Sequence, residues 1–477
     1  MNEAYRCLPL VCAGVLATLA VAGQESDLEE RLHAVAAQAG DELAGLTTLV
    51  WIEDRELLAE GFGVSDPNAH ELAGPDSRYR VGGLTPSLIS IGILQLVDTG
   101  RLDLDAPVAE LLAERTIEEE QDAEEEGAEE EGAGEESEAA EESMALDERV
   151  TLRHLLAHTS GLPAAEVFLA STDAALDDSR QAFLAWLGST ALDSDPGECF
   201  RFDATNVLLA GWILEDVAEQ SVPEYLTEHV FTVLELDDTG YQVDGPPRGE
   251  LWEAHVELGN DLIECGFALE SFRARDLCST ARDLAALMRG LIDREVLSDD
   301  GFDALREPPI LPDGGESPAG LGAYRVALGE HVGLAFGGGT AGARVHLAWY
   351  PSFDLTVVTL ALGRHAPVDR LERSLSRLVF QQPEPGFQDL ALSSEERALY
   401  LGGYYVACTR IAIQEQGERL VAAWPDGRTV ELAYQGYHVF LDQGDPEVRL
   451  TFEIEDGQAV AFALEEHGLR TVAKRID

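Results

Sequence analysis

One phrase of the sequence, RHLLAHTSGLP, places a serine close to two histidines. Ser160 follows His154 and His158 along the chain. A histidine next to a serine can accept the hydroxyl proton, so that the serine oxygen attacks an acyl carbon. Lysine can act as the base instead, but the only lysine is Lys474, so no Ser-x-x-Lys sequence exists in the chain. Acyl transfer is therefore the first chemistry to consider.

Two further serines, Ser87 and Ser90, lie in the strongest helical pattern of the chain, TPSLISIGILQLVDTGRLDL. Thr85 is suited to cap this helix, Pro86 to occupy its first position and Gly100 to end it. Because helix formation explains this phrase, we interpret Ser87 as a first-turn residue rather than as a nucleophile.

No metal or cofactor site is predicted. The eleven histidines form neither an HxH nor an HExxH pattern, and none of the six cysteines forms a CxxC pair. Cys7 and Cys12 lie in the apolar N-terminal stretch. The other four, Cys199, Cys265, Cys278 and Cys408, allow a disulfide, for which Cys265 with Cys278 is one option among several.

The first residues, MNEAYRCLPLVCAGVLATLAVAGQESD, read as a secretory signal over residues 1–23. We therefore expect an extracytoplasmic protein, periplasmic or secreted; an uncleaved anchor is the alternative. No other stretch is long and apolar enough to predict a membrane span in the mature chain.

The formal net charge is −58 over 477 residues. An acidic low-complexity insertion at 117–145 carries part of it, and we expect this insertion to be solvated. The remaining excess is spread along the chain, which makes nucleic acid and anionic membranes poor partners. A saline habitat would explain the charge; the alternative is the general composition of the lineage, which is indicated by the fact that 31 of the 32 basic residues are arginine.

The pattern of elements predicts two domains. Alternating runs such as LTTLVWIEDRELLAEGFGV read as paired strands, and helical runs precede and follow them. After the linker PEPGFQD, the segment 393–477 consists of short strand patterns separated by turns, which predicts a small antiparallel barrel or sandwich.

Four phrases together resemble the serine beta-lactamase-related family, which includes class C beta-lactamases, penicillin-binding DD-peptidases and esterases. They are YRVGGLTPSLISIGILQLVDTGRLDLDAPV, VTLRHLLAHTSGLP, PGECFRFDATNVLLAGWILEDVAEQS and CSTARDLAALMRGLI. The resemblance implies an α+β fold over residues 24–385, with an antiparallel sheet flanked by helices, a helical lobe and a cleft between them. The C-terminal segment resembles the lipocalin-like all-β barrel often appended to this family.

The family's chemistry uses a Ser-x-x-Lys pair, a Tyr-x-Asn loop and a His-x-Gly or Lys-x-Gly strand. Counting without gaps from the flanking matches, the serine position is Gly83 and the lysine position is Pro86. The tyrosine and asparagine positions are Phe202 and Ala204, and the histidine position is Phe336. We therefore predict no catalytic residue at these five positions.

These five replacements have one effect in common: each removes a polar group from a partly buried cleft. An unsatisfied buried group would cost about 1–3 kcal/mol. Asp203, the one titratable residue introduced there, is a candidate binding residue together with Gly337 and Gly338 of the strand motif FGGGTAG. Ser160 belongs to a phrase that the family uses for loop structure.

The sequence thus predicts a pseudoenzyme: a secreted binding or scaffold protein whose partner is a peptide, a cell-wall fragment or another protein. The alternative is a serine hydrolase of the esterase, peptidase or beta-lactamase type with relocated catalytic residues.

Overall fold

The computed structural model describes residues 22–66, 71–112, 146–165, 167–168, 180–241, 272, 277–312, 315–339, 342–363, 366–386, 388–406, 408–424, 427, 429–455, 457–466 and 469–476. Most of the predicted signal and the whole acidic insertion lie outside these ranges. No helix within them combines the length and apolar character that crossing a bilayer requires.

The helices are α1 Ala22–Gly40, α2 Thr85–Asp98, α3 Leu152–Leu156, α4 Arg180–Ser189, α5 Ala204–Ala218, α6 Val222–Leu226, α7 Ala281–Ile292, α8 Asp299–Arg306, α9 Val368–Phe380 and α10 Ser394–Ala398. A 3₁₀ turn, Gly82–Leu84, leads directly into α2, and a π turn, Thr227–Phe231, follows α6.

The strands of the first domain are β1 Gly45–Ile52, β2 Arg55–Asp66, β3 Glu71–Leu72, β4 Tyr79–Arg80, β5 Gly240–Tyr241, β6 Leu277–Ser279, β7 Tyr324–Leu328, β8 His331–Gly339, β9 Ala343–Tyr350 and β10 Leu355–Leu362. Those of the second are β11 Gly402–Val406, β12 Thr409–Gln416, β13 Arg419–Ala423, β14 Thr429–Gly436, β15 Val439–Asp442, β16 Arg449–Glu455, β17 Gln458–Glu466 and β18 Leu469–Arg475.

The first domain is built on a seven-stranded sheet with the order β3-β2-β1-β10-β9-β8-β7, and the strand pairs in it are antiparallel. Every residue of β10 is buried, because helices cover both faces of the sheet. This arrangement confirms the predicted α+β fold.

The two faces of the sheet pack against different helices. On one face, α1 and α9 bury a cluster that includes Leu32, Val50 and Leu375. On the other face, a larger cluster joins the sheet to α7 and to the helical lobe around α2 and α5. Helix α2 is the centre of that lobe, since ten of its 14 residues are buried.

The C-terminal segment forms a closed eight-stranded barrel, β11 to β18. Closure removes the exposed strand edges that an open sheet would present. Tyr400 and Tyr404 lie in its aromatic core with Phe440 and Phe452. The predicted C-terminal all-β barrel is confirmed, and its strands run from Gly402 to Arg475.

A disulfide between Cys199 and Cys408 links the first domain to the β11–β12 turn of the barrel. The pairing of Cys265 with Cys278, which the sequence allowed as one option, stays a prediction, because Cys265 lies outside the described residues. Cys278 is buried on β6. The linked pair, Cys199 and Cys408, is 209 residues apart, so that sequence proximity gave no signal for it.

Candidate functional site

Gly83 occupies the position at which the family has its nucleophilic serine. It lies in the 3₁₀ turn before α2 and packs directly on β8. A Cβ atom placed on Gly83 would lie 2.4 Å from the amide nitrogen of Gly339 and 2.6 Å from the carbonyl carbon of Gly338. A Cβ on Gly338 would lie 2.4 Å from the carbonyl oxygen of Gly83. The two backbones therefore touch, and there is no room for a side chain between them.

The start of α2 differs in one detail from the sequence prediction. Thr85 is the first helical residue rather than the cap, the cap position is Leu84, and no side chain caps the helix. The Thr85 hydroxyl is buried and has no hydrogen-bond partner among the described residues. Because the 3₁₀ turn runs directly into α2, the preceding turn takes the place of a side-chain cap. Pro86 is therefore the second helical residue, one position later than predicted.

The three positions around 203 form the start of α5. Asp203 is the N-cap: its Oδ1 accepts a hydrogen bond of 2.8 Å from the Thr205 amide. Its other oxygen lies 3.7 Å from Arg201 Nε. Ala204 is buried as the first helical residue, whereas Phe202 is 40% exposed and lies against the ring of His158.

Phe336 occupies the strand position at which the family has a histidine. It is 2% exposed and packs in the cluster between the sheet and the helical lobe. It pairs with Leu347 of β9. Its ring thus fills the interior. Gly337 and Gly338, two of the candidate binding residues, instead line a cavity that is described below.

The serines considered as nucleophiles are all buried and hydrogen-bonded. Ser87 Oγ donates to the carbonyl of Gly322 at 2.7 Å, and Ser90 Oγ donates to the carbonyl of Pro86 at 3.1 Å. Ser87 thus binds the backbone just before β7, and Ser90 binds the backbone of the first turn of α2, in agreement with the structural interpretation of Ser87.

Ser160 belongs to a network that joins its loop to α5. Its Oγ donates to Asn206 Oδ1 at 2.6 Å, and the amide of Leu162 donates back to Ser160 Oγ. Asn206 Nδ2 lies 3.4 Å from His158 Nδ1. Burial lowers the pKa of His158 to about 4, so that the ring is neutral at pH 7. His158 thus contacts Asn206 rather than the serine hydroxyl.

A cavity of about 690 Å³ lies between the first domain and the barrel. Gly337 and Gly338 line it on the sheet side, and Trp424 and Leu432 line it at the end of the barrel that faces the sheet. The Cys199–Cys408 disulfide ties the barrel to the segment that leads to Asp203. The barrel is therefore held over this edge of the sheet.

Sequence reasoning missed the charged groups that α9 brings to this cavity. Glu372 is completely buried, and Arg373 is 7% exposed. The signal was present in VDRLERSLSRLVF: Glu372 lies four residues after Val368 and three before Leu375, on the apolar side of the helix. A charge there predicts a buried partner or ligand.

Comparison with known proteins gives consistent matches. A family model described as beta-lactamase matches residues 32–381. Protein flp of Staphylococcus aureus strain MW2 is 24% identical over 203 residues, which cover 42% of this chain and 35% of that protein. Penicillin-binding protein 4 of Amycolatopsis lactamdurans is 25% identical over 209 residues, which cover 41% of this chain and 48% of that protein. This chain thus spans between a third and a half of the length of these curated relatives.

Among solved structures, the octameric penicillin-binding protein homologue from Pyrococcus abyssi superimposes with a TM-score of 0.56 at 19% identity. The match covers 94% of this chain and 99% of that one. At this level of identity the likeness establishes a shared fold, and its coverage includes the barrel as well as the first domain.

Proposed function

This chain belongs to the beta-lactamase family, as its four phrases predicted, and on that premise we propose that it is a non-catalytic member that binds a ligand or partner. The family fixes the fold and a relationship to serine hydrolases. What this particular chain does has to be argued from its own side chains.

The observation that carries the proposal is the contact between Gly83 and Gly338. The family's reaction needs a nucleophilic side chain at the position of Gly83 and space for an acyl group next to it. Here a single methyl group would lie 2.4 Å from backbone atoms of β8. A substrate carbonyl cannot enter a gap that does not admit a Cβ atom.

The other motif positions support the same conclusion. Pro86, Ala204 and Phe336 lack a group that could transfer a proton, and Phe336 is buried in the hydrophobic core. In a well-studied serine protease, loss of the nucleophile alone lowers turnover by about a millionfold. Loss of nucleophile, base and both partner groups would leave no measurable acyl-enzyme chemistry.

A hydrolase with relocated residues is the alternative, and the hydrogen bonds of the candidate serines count against it. Ser87 and Ser90 donate to carbonyl oxygens, and Ser160 donates to an amide oxygen. A serine nucleophile has to donate to a base instead.

We further propose an extracytoplasmic location, which the N-terminal sequence supports through its apolar run and small residues. The partners that fit the family's chemistry are a peptide, a cell-wall fragment or another protein. The acidic surface disfavours nucleic acid.

The test is hydrolysis of a chromogenic cephalosporin, a p-nitrophenyl ester and a D-alanyl peptide by the purified protein. The matched control is the triple variant Ser87→Ala, Ser90→Ala, Ser160→Ala. We expect the same background rate from both proteins. A wild-type rate that the triple variant loses would contradict the proposal.

A further inference from the structure

The cavity between the sheet and the barrel has one apolar wall and one polar wall. The barrel contributes apolar side chains at the end facing the sheet: Val406, Ile411, Ala422, Leu432, Leu450 and Phe462. Its far end is filled by Tyr400, Phe440 and Phe452. A volume of about 690 Å³ lies in the ordinary range of small-molecule sites, roughly 300–1,000 Å³. An apolar chain can therefore enter the barrel from the sheet side.

Glu372 provides the polar wall opposite this opening. It is completely buried and lines the cavity. Its Oε1 accepts a hydrogen bond of 2.6 Å from Ser376. Its Oε2 makes no hydrogen bond of normal geometry among the described residues. Two buried groups lie beside the carboxylate: His346 Nε2, 3.5 Å from Oε2, and the hydroxyl of Tyr350, whose pKa is raised by burial and by Glu372. A buried carboxylate oxygen left without a donor costs about 1–3 kcal/mol or more.

The neighbouring arginines do not satisfy this oxygen, because they are bound elsewhere. Arg373 forms ion pairs with Asp369, Asp445 and Glu447 at 2.6–3.3 Å. Arg325, another residue of the wall, pairs with Glu316. Their positive charges are thus compensated within the protein.

The charge balance of the lining selects the sign of the ligand. The cavity is lined by five acidic residues, Glu316, Asp369, Glu372, Asp442 and Glu466, and by three arginines, Arg325, Arg344 and Arg373. The whole chain carries a formal charge of −58, which adds a field attractive to cations. An anionic head group would have to overcome both effects to reach Arg344.

We propose that this cavity binds an apolar cation of the alkylammonium class, with its chain in the open half of the barrel and its ammonium group hydrogen-bonded to Glu372 Oε2. The inference rests on the proposed function, because it assumes that the chain binds its ligand without converting it. It locates the binding site between the domains, where Gly338 lines the cavity and also contacts Gly83.

The experiment is a calorimetric titration with three probes that share one chain: decylammonium, 1-decanol and decanoate. About 150 mM salt screens unspecific attraction to the acidic surface. Trp424, which lines the cavity, gives a second readout by fluorescence. We expect one decylammonium per chain and weaker binding of the other two probes.

Variants then separate the head group from the chain. Glu372→Gln should weaken decylammonium at least about tenfold, the value of a charge-assisted hydrogen bond, and leave decanol unchanged. Glu453→Gln removes an exposed charge from β16 and should change nothing. Ala422→Phe, which fills the barrel opening, should weaken both probes even if Glu372→Gln folds poorly.

Several outcomes would overturn the inference: no binding of any probe, equal binding of all three, tighter binding of decanoate, or equal effects of Glu372→Gln and Glu453→Gln. These results leave the proposed absence of catalysis intact. Conversely, recovery of a chemically altered probe after incubation would overturn the proposed function itself.

Discussion

At the scale of the residue, the proposed function depends on the contact between Gly83 and Gly338. Gly83→Ala should lower the free energy of unfolding by about 1–3 kcal/mol, because the added methyl group forces two backbones apart. The matched control is Gly240→Ala, since a Cβ atom at Gly240 meets nothing within 4 Å. Urea unfolding of both variants measures the difference.

The contact between Gly83 and Gly338 can also be tested by a substitution at Gly338. Gly338→Ala should destabilise the protein in the same way, and the double variant should cost less than the sum of the single ones, because one separation serves both methyl groups. Strictly additive costs, or a Gly83→Ala variant no less stable than Gly240→Ala, would contradict the closed geometry.

A second residue-scale prediction concerns His158, whose pKa burial lowers to about 4. The unfolded chain, with an ordinary histidine pKa of about 6.5, binds a proton before the folded protein does. The contribution of the neutral His158 ring to the free energy of unfolding is therefore complete above about pH 6.5, and it declines as the pH falls toward 4. Since the ring is partly exposed, we expect His158 to account for a loss of about 1–2 kcal/mol.

The measurement is urea unfolding at several pH values for the wild type and for His158→Gln. The variant should lack this part of the acid sensitivity, whereas His33→Gln, at an exposed histidine on α1, should retain it. If His158→Gln and the wild type lose stability in parallel between pH 7 and pH 4, the buried neutral ring is not the cause.

At the scale of the element, two attachments hold the barrel over β8. One is the Cys199–Cys408 disulfide. The other is the set of ion pairs from Arg373 and Arg377 of α9 to Glu447, next to β16. Their joint effect is to keep the open end of the barrel against the sheet and so to enclose the cavity.

Removal of the disulfide by Cys199→Ser with Cys408→Ser should lower stability by about 2–4 kcal/mol, because the bond closes a long loop in the unfolded chain. Thermal unfolding with and without dithiothreitol measures this. The wild type should lose stability on reduction, and the double variant should not respond. A wild type indifferent to the reductant would show that the bond contributes nothing.

The sequence predicted the elements themselves but not the contacts between segments that are distant along the chain. Periodicity and family phrases predicted the sheet, α2 and the barrel, because burial patterns and caps are local. The Gly83–Gly338 contact, the cavity and the Cys199–Cys408 pair could not be predicted in this way. Each depends on the distance between segments that are far apart in sequence. For the cavity alone the sequence held one local signal, which is the charge of Glu372 on the apolar side of α9.

At the scale of the whole molecule, the formal charge of −58 opposes compaction through self-repulsion. Raising salt from about 0.01 M to 1 M shortens the screening length from about 30 Å to 3 Å. We expect the urea midpoint to rise with NaCl over this range. An unchanged or falling midpoint would mean that local ion pairs outweigh the long-range repulsion.

The central claim is that no acyl-enzyme can form in the closed cleft, and intact-mass spectrometry tests it most directly. The purified protein is incubated separately with benzylpenicillin and with a fluorophosphonate, and its mass is measured before and after. The account predicts an unmodified mass with both reagents. A stoichiometric adduct, mapped by peptide digestion to one serine, would contradict the claim and identify the nucleophile.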